Sequence, residues 1–133
     1  MSAGVVYKKG YKYQLKQLFM FQTGITGSAS GSNYWCGLSA NGVLTANDGY
    51  AWDGVTSAFD TKASLRASLV HDVLYQLIRE GKLPSSMKKD ADDEFYRVCA
   101  QDGVWSVRAK YMYWAVRLFG KFALKHDTKV HSL

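Results

Sequence analysis

The sequence predicts an α+β protein: a small antiparallel, hairpin-rich sheet region first, then three helices. Two observations carry this expectation. Up to residue 54, aromatic and apolar residues recur in short period-two runs separated by glycine-containing turns. From residue 55 the apolar spacing changes to three and four. Strands and helices are thus segregated along the chain rather than alternating, which argues against a parallel βαβ sheet. A length of 133 residues fits a single domain, 1–133, with a strand-rich region over residues 1–54, a helical region over 55–125 and a polar tail, 126–133, expected to fray.

The first strand is expected where Tyr11, Tyr13, Leu15, Gln17, Phe19 and Phe21 alternate with Lys12, Gln14, Lys16, Leu18 and Met20. Residues 24–32, GITGSASGS, are small and polar and read as a loop or long hairpin tip. Tyr34 to Leu38 is a short strand candidate. Asn41-Gly42 is a two-residue turn signal, because both residues tolerate positive φ. It leads into Val43-Leu44-Thr45, and Asn47-Asp48-Gly49 turns the chain again before Tyr50-Ala51-Trp52.

The first helix is expected from a cap at Asp60 or Thr61 to about Glu80, with Gly81 as its stop and Pro84 beyond. Leu65, Leu69, Val73 or Leu74, and Leu77 form its apolar stripe. Ser85 or Ser86 can cap a second helix to about Gln101, ended by Asp102-Gly103, with Phe95, Tyr96, Val98 and Cys99 inward. A third helix runs from about Ser106 to Lys125, and Val107, Tyr111, Trp114, Ala115, Leu118 and Phe122 form its apolar stripe.

Composition narrows the function classes. Hydrophobic residues are 47% and charged residues 21%, enough for a packed core. No run of 18 apolar residues occurs, so no transmembrane helix is expected, and the opening MSAGVVYKKGYKYQ has no apolar stretch of an export signal. Two cysteines, Cys36 and Cys99, cannot form a disulfide framework and read as small buried hydrophobes. Net charge is +6, with the excess at both ends, which suits an anionic partner such as a lipid surface. Nucleic acid binding rests on that charge alone and ranks last.

The chemistry concentrates in Leu69-Val70-His71-Asp72-Val73-Leu74-Tyr75, where an imidazole and a carboxylate interrupt an apolar helix. Buried polar groups need partners. His71 and Tyr75 are four apart and share a face. In the acidic run Asp90 to Glu94, Asp92 falls in register with Phe95, Tyr96 and Cys99 and points inward. Asp90, Asp93 and Glu94 read as solvated. Antiparallel packing of the first two helices would bring Asp92 to His71, and an aspartate on one ring nitrogen leaves the other as a base. Asp53 in Trp52-Asp53-Gly54 could add a carboxylate to that of Asp72, with backbone carbonyls near Gly54. Hard oxygens of this kind suit Ca²⁺. Ordinary roles stay open beside these. His71 can be a hydrogen-bonded core residue, Asp92 an anchor for Tyr75 or Tyr113, and Asp53 a turn residue.

From Trp52 onward the chain resembles the small prokaryotic branch of the secreted phospholipase A2 superfamily. The resemblance lies in Trp52-Asp53, His71-Asp72-x-x-Tyr75, and Asp92-x-x-Phe95 with Tyr96, Arg97, Val98 and Cys99. It continues into the aromatic helix ending Ala115-Val116-Arg117-Leu118-Phe119-Gly120. As a whole, with Tyr50-Ala51-Trp52-Asp53-Gly54, the chain is most similar to an uncharacterised, mostly phage-encoded domain family that carries the same signatures. The resemblance implies a three-helix phospholipase A2-like core, His71 as base, Asp92 as its orienter, and Tyr75 and Tyr113 supporting that aspartate. It implies calcium held by Asp53, Asp72 and the Gly54 carbonyl.

The function expected is therefore a calcium-dependent, phage-encoded ester hydrolase of phospholipase A2 type, acting on membrane lipid or a related ester. The alternative is a non-enzymatic interaction or structural protein that binds a host or virion factor on the same scaffold. A third reading has the same residues cleave a cell-wall or nucleotide bond. The expected location is the cytoplasm of the infected bacterium or the virion.

Overall fold

The computed structural model describes residues 7–8, 13–25, 29–52 and 62–131, with side chains from 13–25, 29–52 and 63–118. Among the described residues seven short strands precede three helices, and the order of a sheet region followed by three helices is the one the sequence predicts. They are β1 (Tyr7–Lys8), β2 (Tyr13–Leu15), β3 (Phe19–Gln22), β4 (Gly31–Ser32), β5 (Cys36–Leu38), β6 (Val43–Ala46) and β7 (Ala51–Trp52). The helices are α1 (Lys62–Arg79), α2 (Lys88–Gln101) and α3 (Ser106–His131).

The strands form two antiparallel sheets, one ordered β1-β2-β7 and the other β3-β6-β5-β4. The single strand expected over residues 11–21 is two strands in different sheets. Its alternation would turn Gln17 inward, and a polar side chain gains nothing there. The chain instead bends at Lys16-Gln17-Leu18, all exposed, and Leu15 and Phe19 are buried on either side. The Asn41-Gly42 turn forms as expected, with Gly42 at φ +83° and Phe21 opposite Leu44 across β3 and β6. Within the stretch read as a loop, Gly31 and Ser32 pair with β5. The backbone of β4 crosses the end of α1 so closely that a Cβ on Gly31 would collide with the Lys82 carbonyl.

The core among the described residues runs from the sheets through α1 to the inner faces of α2 and α3. Leu65, Leu69, Val73, Leu74 and Leu77 are buried as expected, and so are Ala67, Val70 and Ile78, because α1 is covered on most sides. It stops after Arg79, with Gly81 at φ +75°. The expected caps Asp60 and Thr61 lie outside the described residues. Ser85 and Ser86 do not cap α2. They open a 3-10 turn, Ser85–Met87, that leads into it without a side-chain cap.

Three expectations for the later helices are corrected. Val107, Tyr111, Trp114 and Leu118 do not face the core of α3: they are exposed, and Ala109, Met112 and Val116 are its buried face. α3 also continues through the expected tail to His131. On α2, Glu94 is buried rather than solvated, because Arg97 pairs with it and its Oε1 accepts the Gly24 amide at 3.1 Å. Arg66, buried on α1, donates from Nε to Asp102 Oδ2 at 3.0 Å and lies 4.8 Å over the Phe21 ring. It ties β3, α1 and the end of α2 together.

Candidate active site

The site is built where α1 passes α2. His71 sits in the middle of α1, and Tyr75 follows one turn later on the same face. Their rings lie 4.1 Å apart, centroid to centroid. Asp92 comes from the second turn of α2, and Phe95, one turn on, meets the His71 ring edge-on at 5.4 Å. Both Asp92 and Phe95 are fully buried.

Asp92 is the centre of the arrangement. Its Oδ1 lies 2.7 Å from His71 Nε2 and accepts the Tyr75 hydroxyl at 2.6 Å. Its Oδ2 accepts Lys88 Nζ at 3.2 Å and Arg117 Nη1 at 3.0 Å. A single carboxylate therefore joins all three helices. Burial opposes its ionisation. The hydrogen bonds from His71 and Tyr75 and the charges of His71 and Lys88 outweigh that and hold it below the usual carboxylate range. Burial, then the bond to Asp92, pushes the Tyr75 phenol up, so it stays a donor.

These facts fix the histidine tautomer. An ionised carboxylate only accepts hydrogen bonds, so the nitrogen facing it carries a proton. Nε2 is then N–H, and a neutral ring keeps its lone pair on Nδ1. No hydrogen bond among the described residues engages Nδ1. Asp92 is wholly sealed and His71 is buried, with 7% of its side chain accessible. The geometry is that of an imidazole held by a carboxylate at Nε2, with no hydrogen bond at Nδ1 among the described residues.

Tyr113 does not support Asp92, as the resemblance implied. Its hydroxyl donates to the neighbouring Asp93 Oδ1 at 2.7 Å. Lys88 and Arg117 fill that role, and sequence reading missed them. Lys88 is one helical turn before Asp92, a spacing that marks an ion pair. Arg117 carried no such signal.

Asp72 is half-buried on the flank of α1 that also carries Ser68 and Gln76, at four-residue steps. The last described stretch before the first helix is anchored to that flank. Trp52 Nε1 donates to Ser68 Oγ at 3.0 Å, and the Tyr50 hydroxyl donates to Gln76 Oε1 at 2.9 Å. Burial, then the charge of Asp72, pushes the Tyr50 phenol up. The chain thus reaches Trp52 against Ser68, one helical turn before Asp72. The other expected metal ligands, Asp53 and Gly54, lie outside the described residues. Among the described residues, no three His, Cys, Asp or Glu side chains gather as a ligand set. The donors expected, two carboxylates and a carbonyl, are hard oxygens and fit Ca²⁺ by chemistry.

Residues 42–116 match the model of a family described as "Protein of unknown function (DUF1353)". The chain belongs to that family. The matched span holds His71, Asp72, Tyr75, Lys88 and Asp92, so this family's model covers the site except for Arg117, one residue beyond it. No curated protein and no solved structure matches the chain.

Proposed function

We propose that this protein is a calcium-dependent ester hydrolase of phospholipase A2 type, encoded by a bacteriophage and acting on membrane lipid or a related ester. The observation that carries the reading is the His71 Nε2–Asp92 Oδ1 contact of 2.7 Å, made by a buried, ionised carboxylate and leaving Nδ1 without a hydrogen bond among the described residues. His71 takes a proton from water at Nδ1 as that water attacks the ester carbonyl, Asp92 stabilises the imidazolium that forms, and the imidazolium returns the proton to the leaving alkoxide as the ester C–O bond breaks. Tyr75, Lys88 and Arg117 hold Asp92 in place, and the bonds from His71 and Tyr75 with the charges of His71 and Lys88 keep it ionised. Asp72, Asp53 and the Gly54 carbonyl would hold calcium, which when bound supplies positive charge to the developing oxyanion. The His71-Asp72-x-x-Tyr75 and Asp92-x-x-Phe95 signatures support the kinship with phospholipase A2. The test is release of fatty acid from mixed phospholipid vesicles. Release that needs calcium and stops with a chelator supports the reading, and none at saturating calcium overturns it.

A second reading has its own support. Asp92 links α1, α2 and α3 through four hydrogen bonds, a role that needs no catalysis. The protein would then be a phage interaction or structural protein that binds a host or virion factor. Unchanged biological activity of a folded His71→Gln variant would favour it.

A further inference from the structure

We propose that the outward face of α3 docks on an anionic lipid bilayer. The surface does not depend on the hydrolase reading. Val107, Tyr111, Trp114 and Leu118 are 72%, 64%, 67% and 59% exposed. At about 100° per residue they fall within roughly 60° of arc, opposite the buried Ala109, Met112 and Val116, and span about 16 Å of helix. Exposed Arg108 and Lys110 fall roughly 70–90° to either side of that ridge. No Asp or Glu occurs between Ser106 and His126, whereas Lys121 and Lys125 add to the positive charge of the helix.

The charge pattern selects the occupant. A second copy packed on the ridge would set one basic helix face against another, with no Asp or Glu between Ser106 and His126 on either to pair with Arg108 and Lys110, which repels. An anionic partner is complementary. A ridge that carries Trp and Tyr with one exposed cation on each side, Arg108 and Lys110, suits the headgroup layer of a bilayer. Apolar side chains enter the acyl boundary there, aromatic rings sit at the interface, and cations meet lipid phosphates.

Co-sedimentation of the full chain with vesicles tests this. Vesicles of phosphatidylcholine and phosphatidylglycerol in equal amounts should bind the wild type at low salt, and phosphatidylcholine alone about tenfold less. Trp114→Ser/Tyr111→Ser should weaken binding about tenfold or more with an unchanged circular dichroism spectrum and melting curve. Leu118→Ser gives the same readout should the double variant lose its fold. Arg108→Gln/Lys110→Gln should weaken binding about fivefold or more to the anionic vesicles. Three results would overturn the proposal. They are no sedimentation of the wild type with anionic vesicles, equal binding by the folded Trp114→Ser/Tyr111→Ser variant, or a dimer that this variant abolishes in a protein that ignores vesicles.

Discussion

His71 meets Asp92 through Nε2, 2.7 Å from Oδ1, on an oxygen that also accepts the Tyr75 hydroxyl. The carboxylate therefore fixes the ring on both counts that matter for a base: which nitrogen holds the proton, and where the other points. The bonds from His71 and Tyr75 and the charges of His71 and Lys88 hold that carboxylate below its usual range against the opposing effect of burial, and Lys88 and Arg117 both donate to Oδ2.

Substituting Asp92 separates structure from chemistry. Asp92→Ala leaves Lys88, Arg117, His71 and Tyr75 facing a gap and should cost about 3–5 kcal/mol of stability, read as a shift of the urea midpoint. Asp92→Asn keeps the shape and should fold, with kcat for ester cleavage lower by about 10²–10⁴. An Asp92→Asn enzyme of wild-type rate would remove Asp92 from the mechanism.

The depressed carboxyl of Asp92 makes stability depend on acid. Its stabilisation is complete above the ordinary carboxylate value of about 4 and is lost as pH falls through its lower folded value. Urea midpoints should therefore fall below about pH 4 in the wild type, and less steeply in Asp92→Asn.

Calcium should bind the wild type in titration calorimetry, and Asp72→Asn should weaken it about tenfold or more. Equal affinity in the two proteins would exclude Asp72 as a ligand.

Cys36 and Cys99 are both buried, and burial pushes their thiols up to about 11 and about 12. At neutral pH almost no thiolate forms, so a thiol reagent should label the native protein about 100-fold or more slowly than the urea-unfolded chain. Rapid native labelling at either position would contradict their burial.

Much of this was legible in the sequence because it rests on periodicity. The three- and four-residue register placed Asp92 beside Phe95 on the inner face of α2 and His71 above Tyr75 on α1, and the packing of the two helices joined them. The Asn41-Gly42 turn was legible because its backbone needs positive φ. Periodicity misled in α3, where the most regular apolar stripe faces outward. Spacing finds a face but does not say what covers it, and the face that is buried carries Ala109, Met112 and Val116. Arg117 was not legible, because its partner is 25 residues away and on another helix. Glu94 looked solvated because its amide partner, Gly24, lies 70 residues earlier.

The most direct measurement compares wild type and His71→Gln in calcium-dependent fatty acid release from mixed phospholipid vesicles, with both proteins shown to be folded. The account expects release by the wild type and a rate lower by about 10²–10⁴ in His71→Gln, because the variant has no base at that position. Equal rates from the two proteins would contradict it.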